Sequence, residues 1–293
     1  MTTQTVTTPR AYVEKQNPIA YSFKQTLNNW KFWAPLAIIY TLVSMALGGA
    51  SNFIAPVETH TTSTGVEIGT PTIENAPLLS IIFLISIIVS LVIGAILYRN
   101  ALRQVDSDKT PPTSEAPSFS NWTKDIKWGN YILTSILTGI IMLVFIGVLA
   151  GIVAVSATTG VTALIAFAIL LALLGTIFAV PFITFAPTAA LDGFGPKQAI
   201  ATSFTAVKTH YWKVIGNLIL FYLIIFGAYV IAFTLSILFA LIHPIAGLVI
   251  TLIVSFAVSV VILPATFLLI TKLYDEAAQR YTATPAPQEE TTI

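Results

Sequence analysis

PLLSIIFLISIIVSLVIGAILY, residues 77 to 98, runs without a charged side chain for 22 residues. A helix of that length is about 33 Å long, enough to cross a hydrocarbon core of about 30 Å. The run is continuously apolar, whereas a membrane barrel strand alternates over about ten residues, so the pattern predicts a helix. Working outward, five more such runs appear: Phe32 to Gly49, Tyr131 to Val155, Val161 to Pro187, Val214 to Leu241 and Ala246 to Thr271. The predicted fold class is an all-α integral membrane protein with six transmembrane helices.

Composition excludes the other classes. Of 293 residues 56% are hydrophobic and 9% charged, against about 25% charged in an ordinary soluble domain. The 14 Lys and Arg nearly cancel the 13 Asp and Glu, which argues against nucleic acid as a partner. Zero cysteines exclude disulfides, thiolate catalysis and Cys-ligated metal.

The cations set the direction. The connections after the first, third and fifth spans, residues 50 to 76, 156 to 160 and 242 to 245, contain no Lys or Arg. All 14 lie on the other side, so the positive-inside rule places both termini in the cytoplasm. All five tryptophans, Trp30, Trp33, Trp122, Trp128 and Trp212, fall beside that same end of the spans, where an amphipathic ring suits the headgroup region and anchors a helix. The start, MTTQTVTTPR, has no apolar core of a signal peptide. The first span is expected to direct insertion, with residues 1 to 14 and 282 to 293 as flexible cytoplasmic tails around a membrane domain at 15 to 281.

An internal repeat organises that domain. Ala-x-Ser-Phe occurs at Ala20 to Phe23, Ala116 to Phe119 and Ala201 to Phe204, each time followed by a Trp and a span. The unit is a short segment plus a two-span hairpin, giving repeats at about 15 to 106, 114 to 192 and 195 to 275. The short segments read as interfacial helices. Ile19, Phe23, Leu27 and Trp30 form one apolar stripe opposite Lys24, Gln25 and Asn28; Ile200, Phe204, Val207 and Tyr211 form another; Phe119, Trp122 and Ile126 a shorter third. Each starts at a proline, Pro18, Pro117 or Pro196, where a missing N–H costs nothing, and Asn17 is placed to cap the first. Docking of a partner is the alternative use of these helices.

The hairpin ends also correspond. Pro181 lies eleven residues before Asp192 and Pro264 eleven before Asp275, with Thr188 and Thr271 each seven after the proline. Both prolines are expected to kink their helices. Matched breaks can mark a transport site, but no charged residue or histidine sits inside a span, which favours a packing role. Gly147 with Gly151, and the Ser44/Gly48 and Ser90/Gly94 pairs, suit close helix contacts.

The stretch Ala190 to Val214, ALDGFGPKQAIATSFTAVKTHYWKV, resembles the cytoplasmic segment of the glycerophosphoryl diester phosphodiesterase membrane-domain family and its YciC-like relatives. The matching positions are the acidic-glycine turn Asp192-Gly193, Ala199 with Ser203, and Trp212-Lys213; Leu273-Tyr274-Asp275 matches the family's last-span ending with one Tyr fewer. The resemblance implies a six-span bacterial or archaeal membrane architecture without the catalytic barrel that some relatives carry, and no catalytic residue transfers with it.

Local chemistry points the same way. The chain has no phosphate-binding Gly-rich loop, His-Glu-x-x-His or Gly-x-Ser-x-Gly motif, and the three histidines, His60, His210 and His243, are scattered. Glu58 and His60 would face one way if residues 57 to 69 formed a strand pair, yet two ligands are too few for zinc. Asp192 is expected to cap the third interfacial helix or bond free amides at its turn. The positions singled out are Pro181, Asp192, Gly193, Ser203, Trp212, Pro264 and Asp275, with no catalytic, cofactor or metal role assigned. The functional expectation is a non-enzymatic accessory or assembly factor of a prokaryotic cytoplasmic membrane, with membrane lipids, other membrane proteins or further copies of the chain as partners. Its rival is a transporter or lipid translocator with a cavity between the fourth and sixth spans.

Overall fold

The structure is a computed structural model that describes residues 17–54, 57–61, 67–71, 76–106, 122–158 and 162–282. The expected tails, the His60 and Glu58 side chains and most of the second interfacial segment, Pro117 and Phe119 included, lie outside the described residues. The helices are α1 (Pro18–Asn28), α2 (Trp30–Ile54), α3 (Ala76–Asp106), α4 (Trp128–Thr158), α5 (Thr162–Ala179), α6 (Pro181–Thr184), α7 (Ala186–Asp192), α8 (Pro196–Ile242) and α9 (Pro244–Thr282). Six stretches are long and apolar enough to cross a membrane, and they correspond to the six runs read from the sequence. One addition to the all-α plan lies between α2 and α3. There β1 (Val57–Thr61) pairs antiparallel with β2 (Glu67–Pro71), Val57 opposite Pro71 and Thr61 opposite Glu67.

Helices α2 and α3, α4 and α5, and α8 and α9 pack as hairpins. Packing density is divided unevenly along them. Near the cation-bearing end, Trp33, Ala95, Leu97, Ala101, Phe185, Leu191, Val207, Leu268 and Leu269 are fully buried in one core. Toward the other end the side chains face outward: Leu143 is 74% exposed, Phe167 63% and Leu241 79%. Lipid tails are as apolar as leucine, so burial within the bilayer gives these residues no hydrophobic gain and leaves the outer halves free of the core.

Asn17 caps α1 as expected, its Oδ1 accepting from the Ile19 N–H at 2.9 Å and the Ala20 N–H at 3.4 Å. The face of α1 turned inward differs from the apolar stripe. Ile19, Tyr21, Ser22 and Thr26 are buried, with α1 packed on α9, while Leu27 is 58% exposed. Small side chains allow close approach, and their hydroxyls are satisfied locally: Ser22 donates to the Ile19 carbonyl at 2.8 Å and Thr26 to the Ser22 carbonyl at 2.9 Å. Back-bonded hydroxyls of this kind behave as compact packing groups.

The third segment is not a separate helix. It is the first part of α8, joined to the fifth span through His210 at φ −123°, ψ 28°. Asn29, between α1 and α2, has φ −106°, ψ 31°. Both residues stand seven after the serine of Ala-x-Ser-Phe. The buried face of this part of α8 is again small, Ala199, Ser203, Ala206 and Val207, against α6 and α7.

Two other expectations are corrected. Trp33 is fully buried and Trp122 nearly so, hence both belong to the core and not to a headgroup anchor. A Cβ added at Gly147, Gly151 or Gly48 would meet nothing within 4 Å, so these glycines mark no close helix contact within the chain; at Gly94 it would lie 2.7 Å from the Tyr131 hydroxyl.

Candidate functional site

The fourth span breaks where two prolines stand six residues apart. Pro181 cannot donate to the Ile177 carbonyl nor Pro187 to the Ile183 carbonyl, so α5 gives way to the short helices α6 and α7. The opened turn is closed from outside. Ser203 of α8, fully buried, donates to the Phe182 carbonyl at 2.7 Å and accepts from the Phe185 N–H at 3.1 Å. Both capacities of that hydroxyl are thus committed to backbone, which removes it as a nucleophile. Pro264 is buried as well, but α9 runs unbroken through it, as α2 does through Pro35. A single proline costs one hydrogen bond in an otherwise complete helix, whereas the pair in the fourth span removes two in successive turns.

Gly193 ends α7 at φ 125°. Its N–H donates to the Ala190 carbonyl at 3.3 Å and the Phe194 N–H to the Ala189 carbonyl at 3.2 Å, the paired bonds of a Schellman ending. Lys127 packs against the face where a Cβ would stand, its Nζ 3.5 Å from the Asp192 carbonyl at the negative end of α7.

Asp192 caps nothing on α8; Gly195 holds the N-cap position without a side-chain bond. Its exposed carboxylate instead accepts from the buried Tyr274 hydroxyl at 3.1 Å, tying α7 to α9. Asp275, half-buried, follows on the same helix, and Lys213 of α8 pairs with Glu276. The structure therefore brings Pro181, Ser203, Gly193 and Asp192 into one region around α6 and α7, and links Asp192 to Tyr274 beside Asp275. Trp212 stands apart, 77% exposed on α8.

Sequence reading missed a second polar cluster. The Trp33 indole donates to Gln104 at 2.8 Å, Gln104 to Gln25 at 3.1 Å, and Asn29 to the same Gln25 oxygen at 3.0 Å. Fully buried Asn100 donates to the carbonyls of Ile96 and, at 3.0 Å, Trp122, while Arg103 pairs with Asp125 at 3.2 Å. The one available signal was uncharged amides, Gln25, Asn29, Asn100 and Gln104, at the ends of apolar runs.

Among the described residues, grooves open on the membrane portion, three of them well formed. One of about 450 Å³ lies between α2 and α3, with Ser44, Ser86 and Ser90 in its wall. A second, about 410 Å³, lies among α2, α8 and α9 and carries Tyr40, Thr41, Ser44, Tyr229, Ser259 and Thr266. The third, about 540 Å³ and apolar, lies beside Pro181 against α8. None of the three joins the fourth span to the sixth. Among the described residues no group of three His, Cys, Asp or Glu converges for a metal. Comparison with family models, curated proteins and solved structures finds no match.

Proposed function

We propose that this is a non-enzymatic multi-pass protein of a prokaryotic cytoplasmic membrane, both termini cytoplasmic, serving as an accessory or assembly factor for membrane lipids or membrane partners. One observation carries the reading: a close-packed end supports hairpins whose outer halves contact little else in the chain, with Val144 60% and Val155 68% exposed. Such surfaces are available to lipid or to partner helices, which associate in a bilayer by shape and hydrogen bonding. The one-sided cations support the orientation. Membership of the six-span family that Ala190 to Val214 resembles is part of the same proposal, as is the three-unit organisation, which the matched backbone at Asn29 and His210 supports. The test is purification at native abundance after crosslinking in the membrane. A membrane protein or lipid class enriched in near-equal amount supports the reading; bare protein from crosslinked and uncrosslinked membranes alike overturns it.

The hydroxyl-lined grooves favour a second reading, lipid translocation, with the path along α2 where both grooves share Ser44. Uncharged donors and acceptors facing hydrocarbon would ease a headgroup across. Reconstituted vesicles should then equilibrate a fluorescent lipid between leaflets, and Ser44→Leu should slow it; no equilibration above protein-free vesicles excludes this reading.

A further inference from the structure

We propose that the outward face of the first part of α8, with its counterpart on α1, binds anionic lipid headgroups. The proposal rests on the membrane-spanning reading and is independent of the accessory role.

Lys197, Ala201, Phe204 and Lys208 follow one another at spacings of four, three and four, so they share a helix face, and all four are exposed. Trp212, two residues past the His210 bend, is exposed as well. This face lies opposite Ala199, Ser203 and Ala206, which hold the helix to α6 and α7, so it points away from the protein. On α1 the same geometry recurs with Ala20, Lys24 and Leu27 outward and Ser22 and Thr26 inward.

The exposed groups are of two kinds in alternation. Phe204 and Trp212 are 52% and 77% exposed, large apolar surfaces at the end of a span, where headgroups meet acyl chains. One ammonium group, of Lys208, stands between them, and that of Lys197 lies two turns before Phe204. Four other basic side chains are engaged, Lys213 with Glu276, Arg103 with Asp125, Lys127 at the end of α7 and Lys272 over the Tyr21 ring, while Lys31 and Lys124 are exposed off this face. Among the described residues Lys24, Lys197 and Lys208 have no acidic partner. Cations left unpaired beside rings that insert into the interface are complementary to phosphate carrying net negative charge. A zwitterionic headgroup satisfies the rings but not the lysines, and this gives the selectivity.

The test uses the full chain in phosphatidylcholine vesicles containing a minor fraction of dibrominated phosphatidylglycerol or, at equal fraction, dibrominated phosphatidylcholine. Bromine quenches nearby tryptophan, and the difference between wild type and Trp212→Phe isolates the signal of Trp212. Phosphatidylglycerol should quench that share more strongly, and raised salt should erase the difference. In the Lys197→Gln/Lys208→Gln variant the preference should fall by roughly five-fold per lysine removed, while Lys124→Gln, exposed but off the face, should leave it unchanged. Equal quenching of wild type by the two lipids, or an undiminished preference in the double variant, overturns the proposal and leaves the face to an acidic protein. The salt dependence of wild type requires no variant to fold.

Discussion

Ser203 shows how much one hydroxyl carries when it stands where a helix has come apart. Replacing it by Ala removes the partner of the part-buried Phe182 carbonyl and the side-chain acceptor of the buried Phe185 N–H, a cost of about 1–3 kcal/mol in all. Ser22, its match in the first unit, bonds only the Ile19 carbonyl of its own helix. Ser203→Ala should therefore lower the melting temperature in detergent clearly more than Ser22→Ala; equal effects would mean that the bridge is energetically idle. Gly193→Ala acts through both conformation and crowding, because φ 125° disfavours a Cβ and Lys127 occupies its place. The strain is about 1–2 kcal/mol, and pairing the change with Lys127→Ala should recover the crowding part alone. Asp192→Asn keeps an oxygen acceptor for Tyr274, so folded yield should hold, and an accessory activity with it. At this scale the sequence singled out Asp192-Gly193 and Ser203. It hid their partners, which stand 18 to 82 residues away and follow from packing alone.

Elements were legible in proportion to how local their causes are. Six uncharged runs mark six spans because hydrocarbon admits nothing else, and Asn17 caps α1 because its carboxamide reaches the next turn. The apolar stripe of α1 was legible but its inward face was not, because Ile19 of that stripe is buried together with Tyr21, Ser22 and Thr26, while Leu27 is exposed. Kinks at Pro181 and Pro264 were expected alike, yet only the fourth span is interrupted, where Pro187 removes a second bond. Pro181→Ala offers a new donor to the Ile177 carbonyl and so regularises the turn just before the carbonyl and N–H that Ser203 holds. The two changes should be non-additive by about 0.5–3 kcal/mol in a double-mutant cycle, measured by thermal unfolding in detergent. Strict additivity would show that the break forms without regard to Ser203.

Across the whole molecule, orientation is the property most open to direct test. A cysteine at Ser63, in the cation-free connection after the first span, should react with an impermeant thiol reagent on intact cells. One at Thr284 should react only after permeabilisation, and reversal of either would break the charge argument. The absence of native cysteine makes the readout clean. The sequence conveyed the number of spans but not the concentration of buried contacts at one end, because composition along a span is uniform while packing is not.

The seat of α1 against α9 has a consequence for biogenesis. A ribosome releases α1 long before α9, so the face bearing Ser22 and Thr26 waits through five insertions for its mate. Until then the nascent chain displays an unfinished flank, and the core at the cation-bearing end closes only when the last helix arrives.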